Sequence, residues 1–144
     1  MQYEIHDGPK FHPQRVSGLC RWLDADNSST LTVDEYRNEH QRACQWDDKS
    51  GNANHYIEHC GSMQPIVIRK AQNDRNMIEF PDSSFIESIK GVHIFIIHIG
   101  NRVGEIVAYN EALAADDVMA LKKYFFDKWG MDATEIKAKL NHNQ

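Results

Sequence analysis

Two strings in this chain have the residue types and spacing of metal chemistry. The first runs Asp24-Ala25-Asp26-Asn27-Ser28-Ser29-Thr30-Leu31-Thr32-Val33-Asp34-Glu35. It sets oxygen-bearing side chains at alternate positions and ends on a glutamate, the ligand series that an EF-hand offers calcium. Asp24, Asp26, Ser28 and Glu35 are the candidate calcium ligands. Two features weigh against a true EF-hand. Ser29 stands where Gly normally makes the sharp turn, and residues 18–23 alternate like a strand instead of forming an entering helix. A polar loop between strands accounts for the same residues.

The second string is His55-Tyr56-Ile57-Glu58-His59, the inverted zinc-protease pattern. That chemistry needs both histidines on one helical face with the glutamate beside them as base. Gly51, Asn52 and Asn54 precede the string and Cys60-Gly61 follows it, so no useful helix fits. As a strand, His55, Ile57 and His59 share one face while Glu58 points to the other. The sequence therefore reads as a polar strand, with no catalytic residue. His93 and His98 sit on opposite faces of the most apolar run and read as hydrogen-bonded core or rim histidines. No nucleophile elbow or phosphate loop is present.

The elements that must position these residues are mostly short strands. Residues 19–23, 55–59, 65–69, 77–80, 92–99 and 106–109 have strand character, and 92–99 is apolar on both faces, as a central strand is. Residues 24–32 and 47–54 are loops, and 33–44 is either a short helix or a long loop. The period then changes. Val118, Leu121, Phe125 and Trp129 recur at three or four residues, predicting a helix over Ala115–Trp129 with that face buried. Asp116 and Asp117 suit its N-terminal end, Lys128 its C-terminal end, and Gly130 the position just past it. Residues after Asp132 read as a second short helix or a frayed end.

Composition bounds the function. The 144 residues suit one domain, with 41% apolar and 26% charged residues as in an ordinary globule. The net charge of −5, without a Lys/Arg cluster, argues against nucleic acid and anionic membranes as partners. No run reaches the length of a membrane span, and the first ten residues are polar, lack an apolar stretch and do not read as a signal peptide. Cys20, Cys44 and Cys60 are odd in number, lack metal-type spacing, and read as reduced thiols.

The two ends of the chain carry a further pattern. Gly18-Leu19, Trp22-Leu23-Asp24-Ala25 and the run from Trp46-Asp47-Asp48-Lys49-Ser50-Gly51 to His55 stand near the start. Gly104-Glu105-Ile106-Val107-Ala108-Tyr109-Asn110, Tyr124 and Lys128-Trp129-Gly130 stand near the end. Together they resemble the concanavalin A-like (laminin-G-like) domains of phage virion proteins and bacterial surface proteins. The resemblance implies a mainly β fold: a reduced jelly-roll β-sandwich with one C-terminal α-helix. Residues 1–15 would form an extended arm, 16–132 the sandwich and 133–144 a tail.

The chain departs from that family in three places. Ala114 replaces the usual Ser or Thr before the helix, removing an N-cap worth about 1 kcal/mol. Only residues 100–103 remain of a long middle section. Glucanases of this fold pair two glutamates on one strand face, but Val107 and Tyr109 stand where the partner of Glu105 would be. The implied function is a non-enzymatic virion structural protein, a capsid-decorating, head-fibre or tail-associated subunit assembled in the host cytoplasm. It would need no cofactor, form a homo-oligomer and bind capsid, neck or tail proteins through Tyr3, Ile5 and Phe11 of the arm. A carbohydrate-binding adhesion module, recognising a surface glycan, and a calcium-binding protein using the 24–35 loop are the alternatives.

Overall fold

A β-hairpin forms the centre of the molecule. In the computed structural model, which describes residues 10–34 and 41–139, residues 93–99 of β7 (Gly91–Ile99) pair with the whole of β8 (Arg102–Tyr109). Their run of Val, Ile and Phe is buried on both faces, which explains why no polar/apolar alternation marks it. Gly100, at φ 59, turns the chain between them.

Strands add on both sides of this hairpin. β1 (Leu19–Asp24) pairs with residues 105–109 of β8, and β6 (Arg75–Glu79) pairs with its beginning, so the two share one edge. β5 (Ile66–Gln72) lies outside β6, and β9 (Thr134–Lys139) lies outside β7. A second sheet orders β2 (Leu31–Val33), β3 (Ala43–Trp46) and β4 (Tyr56–Ile57). All pairings are antiparallel.

Two cores follow from the two faces of the large sheet. On one face, Ile94, Ile96, Ile106 and Leu23 pack with Trp46 of the small sheet and with Phe85 of the one-turn helix α1 (Ser84–Ser88). On the other, Phe95, Ile97, Val107 and Tyr109 pack with Leu121, Phe125 and Trp129 of α2 (Ala115–Trp129). The helix and its buried face stand where its periodicity predicts. Ala114 gives α2 no side-chain cap, and Gly130 takes the left-handed conformation at φ 70. The last carbonyls of α2 are satisfied from the β5–β6 turn. Arg75 Nε and Asn73 Nδ2 donate to Lys128 O at 2.6 and 2.8 Å, and Gln72 Nε2 donates to Trp129 O at 3.0 Å. Asn73 and Asp74, both at positive φ, make that turn a two-residue hairpin.

The fold is mainly β with one long helix, as expected, but the C-terminal reading needs correction. Thr134–Lys139 is neither a second helix nor a frayed end; it is the edge strand β9, held by the backbone of β7. The 33–44 segment ends in the first two residues of β3, Ala43 and Cys44, and its residues 35–40 lie outside the described residues. Of the N-terminal arm, residues 1–9 with Tyr3 and Ile5 also lie outside them. Residues 10–15 dock on their own domain. Pro13 is buried and accepts a hydrogen bond from Tyr109 Oη at 2.8 Å, while Phe11 meets the Tyr124 ring edge-on.

Candidate functional site

The motif residues from the two chain ends meet at Glu105. This side chain is 0% exposed, in the middle of the sheet, facing α2. Its Oε2 accepts from Trp22 Nε1 at 2.8 Å and Tyr124 Oη at 2.6 Å. Its Oε1 accepts from Trp129 Nε1 at 2.8 Å and faces Lys128 Nζ at 3.0 Å. Lys128 Nζ also lies 2.6 Å from Asp24 Oδ2, and Lys49 approaches the same oxygen at 3.7 Å while covering the Trp22 ring. Two carboxylates and two ammoniums thus balance one another where β1, β8 and α2 join.

Every group around the Glu105 oxygens is a donor, and neither indole nor ammonium can accept. The arrangement is built for the ionised carboxylate. Burial nevertheless pushes the Glu105 carboxyl above its ordinary range, and the Asp24 carboxylate pushes the same way. Burial would lower the Lys128 ammonium, but Glu105 and Asp24 outweigh it and hold it above its ordinary value. Tyr124 is raised as well, by burial and then by the carboxylate it donates to. Removing one partner from such a buried set costs about 3–5 kcal/mol, because the remaining charge stays buried.

A second network secures the loop after β3. Asp48 accepts from Trp22 N at 2.7 Å, Ser50 N at 2.9 Å, Ser50 Oγ at 2.7 Å and Asn54 N at 2.9 Å. Burial alone would raise this carboxyl, but the four hydrogen bonds outweigh it and hold it below its ordinary value. The run after Trp46, to His55, is therefore a loop strapped to β1, by Asp48 and by Lys49 N, Ser50 Oγ, Asn52 Nδ2 and Asn54 Nδ2, which donate to the carbonyls of Trp22, Cys20, Leu19 and Cys20.

The candidate metal ligands do not converge. Asp24 faces Lys128 and Lys49, and Asp26 faces Arg75 Nη1 at 2.8 Å. Ser28 opens a single 3-10 turn, and Glu35 lies outside the described residues. In the second string, His55 Nδ1 accepts from Asp48 N at 2.8 Å, Glu58 folds back on Cys60 N at 3.1 Å, and His59 is exposed. Only Tyr56 and Ile57 form the strand there. No cluster of three His, Cys, Asp or Glu able to hold a metal occurs among the described residues.

His93 and His98 are hydrogen-bonded, as the sequence suggests. Buried His93 meets Glu135 at 2.8 Å, holding that carboxyl below its ordinary value, and His98 meets Gly100 O at 3.0 Å. Cys20, Cys44 and Cys60 are free thiols.

Sequence reasoning missed the partners of Glu105 and Asp24. Both readings treated the carboxylates within their own strand or loop, whereas Lys128 comes from α2. The available signal was that Lys49, Tyr124 and Lys128 all belong to the same motif strings as Trp22 and Glu105. A separate feature is an open groove of about 240 Å³ beside the small sheet, with Tyr56, Phe80 and Phe85 along it and Glu58 and Asp82 at its rim. Its three rings pack on one another at 4.7–5.3 Å. No known protein family, curated protein or solved structure matches this chain.

Proposed function

We propose that this chain is a non-enzymatic structural subunit of a phage-like particle, decorating a capsid or forming part of a head fibre or tail. Its sheets and helix would be a reduced concanavalin A-like jelly-roll sandwich. The particle assignment comes from the motif resemblance. One observation carries the non-enzymatic part: both oxygens of Glu105, the most deeply buried carboxylate among the described residues, are filled by donors from its own chain. A group so occupied has no lone pair directed at a substrate, and its chemistry is spent on joining β1, β8 and α2. Loss of the family's middle section fits a module kept for packing.

Immunogold labelling of purified particles with an antibody to this chain tests the proposal. Regular labelling at one structural position, with the chain copurifying at fixed stoichiometry, is expected. Recovery of the chain only in the soluble lysate contradicts it. The aromatic groove favours one second reading, a glycan-binding module, because rings flanked by polar groups suit a sugar face and its hydroxyls. A glycan array separates the two: saturable binding lost in Phe85→Ala supports the second reading.

A further inference from the structure

β9 closes one end of the six-stranded sheet, and among the described residues its outer side has no partner strand. Sheet edges are commonly kept from pairing by bulges, prolines or lysines. The opposite edge strand, β5, is interrupted in register and carries Lys70 at φ 51. β9 differs. It runs without Pro and without a register shift from Thr134, opposite Ile96, to Lys139, opposite Gly91.

An apolar stripe overhangs this edge. Met119, Lys122 and Phe126 stand at i, i+3 and i+7 on α2, one helical face. Met119 is 68% exposed and Phe126 54%. Lys122 Nζ reaches Glu135 Oε1 at 3.2 Å, which fixes the stripe on the β9 side of the helix.

We propose that β9 pairs antiparallel with β9 of a second copy of this chain, about a two-fold axis through Ile136. Two six-stranded sheets would become one continuous sheet, with Met119 and Phe126 of both copies covering the seam. Charge complementarity selects the partner and the register. Glu135 and Lys137 point to the α2 side, while Ile136 packs into the opposite core. A two-fold axis perpendicular to the sheet preserves its faces, so opposed residues must share a face and the axis must pass through a residue. An axis at Glu135 sets Glu against Glu, and one at Lys137 sets Lys against Lys. At Ile136, each Glu135 faces the other copy's Lys137 and isoleucine faces isoleucine, a favourable cross-strand set. Lys137, 71% exposed and 3.9 Å from Glu135 of its own strand, would turn from that loose pair to the other copy's Glu135. The lysine that would guard an isolated edge then serves the pairing. The inference goes beyond the particle reading and needs no particle to be true.

Sedimentation equilibrium on the purified full-length chain tests it, with the variants Glu135→Lys and Lys137→Glu. The native chain should dimerise with a dissociation constant on the order of micromolar, as a small seam allows. Each variant alone sets like charges across the axis and should weaken association at least tenfold. An equimolar mixture of the two should dimerise again, because both cross-strand pairs are then opposite in charge. Phe126→Ser, on an exposed helical position, should weaken association without touching β9, so the test survives if a β9 variant folds poorly. A chain that stays monomeric at roughly 100 µM, far above that constant, overturns the proposal. So does a dimer that both single charge variants leave intact, or a mixture that fails to reassociate.

Discussion

Gly104 lies directly under the indole of Trp129: a Cβ at position 104 would stand 2.7 Å from Cη2 of that ring. The glycine is thus required by the close approach of helix to sheet, and the same approach brings Trp129 Nε1 to Glu105. Gly104→Ala is expected to displace the ring and cost about 1–3 kcal/mol by overpacking. Trp129→Ala should cost about 3–5 kcal/mol, through the cavity and the lost donor. Urea unfolding of both variants checks this. A Gly104→Ala protein as stable as the native one contradicts the packing described.

Alkaline pH should unfold the protein along a defined course. Tyr109 and Tyr124 are both raised above the ordinary 10.0, chiefly by burial, and Lys128 is held above 10.5 by Glu105 and Asp24. A folded-state pKa above the unfolded value means the folded form keeps a proton that the unfolded form releases. These three groups therefore contribute full stability below pH 10 and lose it as pH rises further. Tyr56, raised to about 12 mainly by burial, acts in the same direction. Tyrosinate absorbance followed together with circular dichroism should show these phenols ionising only as the fold is lost. Their ionisation near pH 10 in an intact fold contradicts the burial.

How far the sequence was legible depended on whether a segment's structure is local. β7 was readable because a Val-Ile-Phe run buried on both faces needs no distant information. α2 was readable from the spacing of Leu121, Phe125 and Trp129 and from Gly130. β9 was not, because Glu, Lys and Ala in Thr134–Lys139 are good helix formers and only the open edge of β7 makes them a strand. β3 was hidden because Ala43–Trp46 is four residues with no alternation. The Glu105 site was half legible. Its aromatic donors stood in recognisable motifs, but a strand pattern does not report a cation supplied by a helix.

Metal-dependent chemistry should be absent at both strings. Asp24 and Asp26 already face Lys128, Lys49 and Arg75, so a calcium ion would have to displace bound cations. Calorimetric titration should therefore show no calcium binding in the sub-micromolar range of buffer and sensor sites. Peptidase assays with added zinc should show no turnover, since His55 is engaged with Asp48 N and Glu58 with Cys60 N. Tight calcium binding lost in Asp24→Ala, or hydrolysis lost in Glu58→Gln, would refute this account of the loops.

Lys128→Met tests the central claim, that the motif residues form a joint and not a reactive site. Lys128 neutralises Glu105 and Asp24 in the interior, so its loss leaves two buried carboxylates facing only donors and Lys49. A structural joint should lose about 3–5 kcal/mol. A site built for function carries stored instability, and removing one of its charges commonly leaves stability unchanged or raises it. The measurement is equilibrium urea unfolding of Lys128→Met beside the native protein at neutral pH. A midpoint shifted well to lower urea, with an unchanged slope, is expected. A variant as stable as the native chain, or more stable, would contradict it.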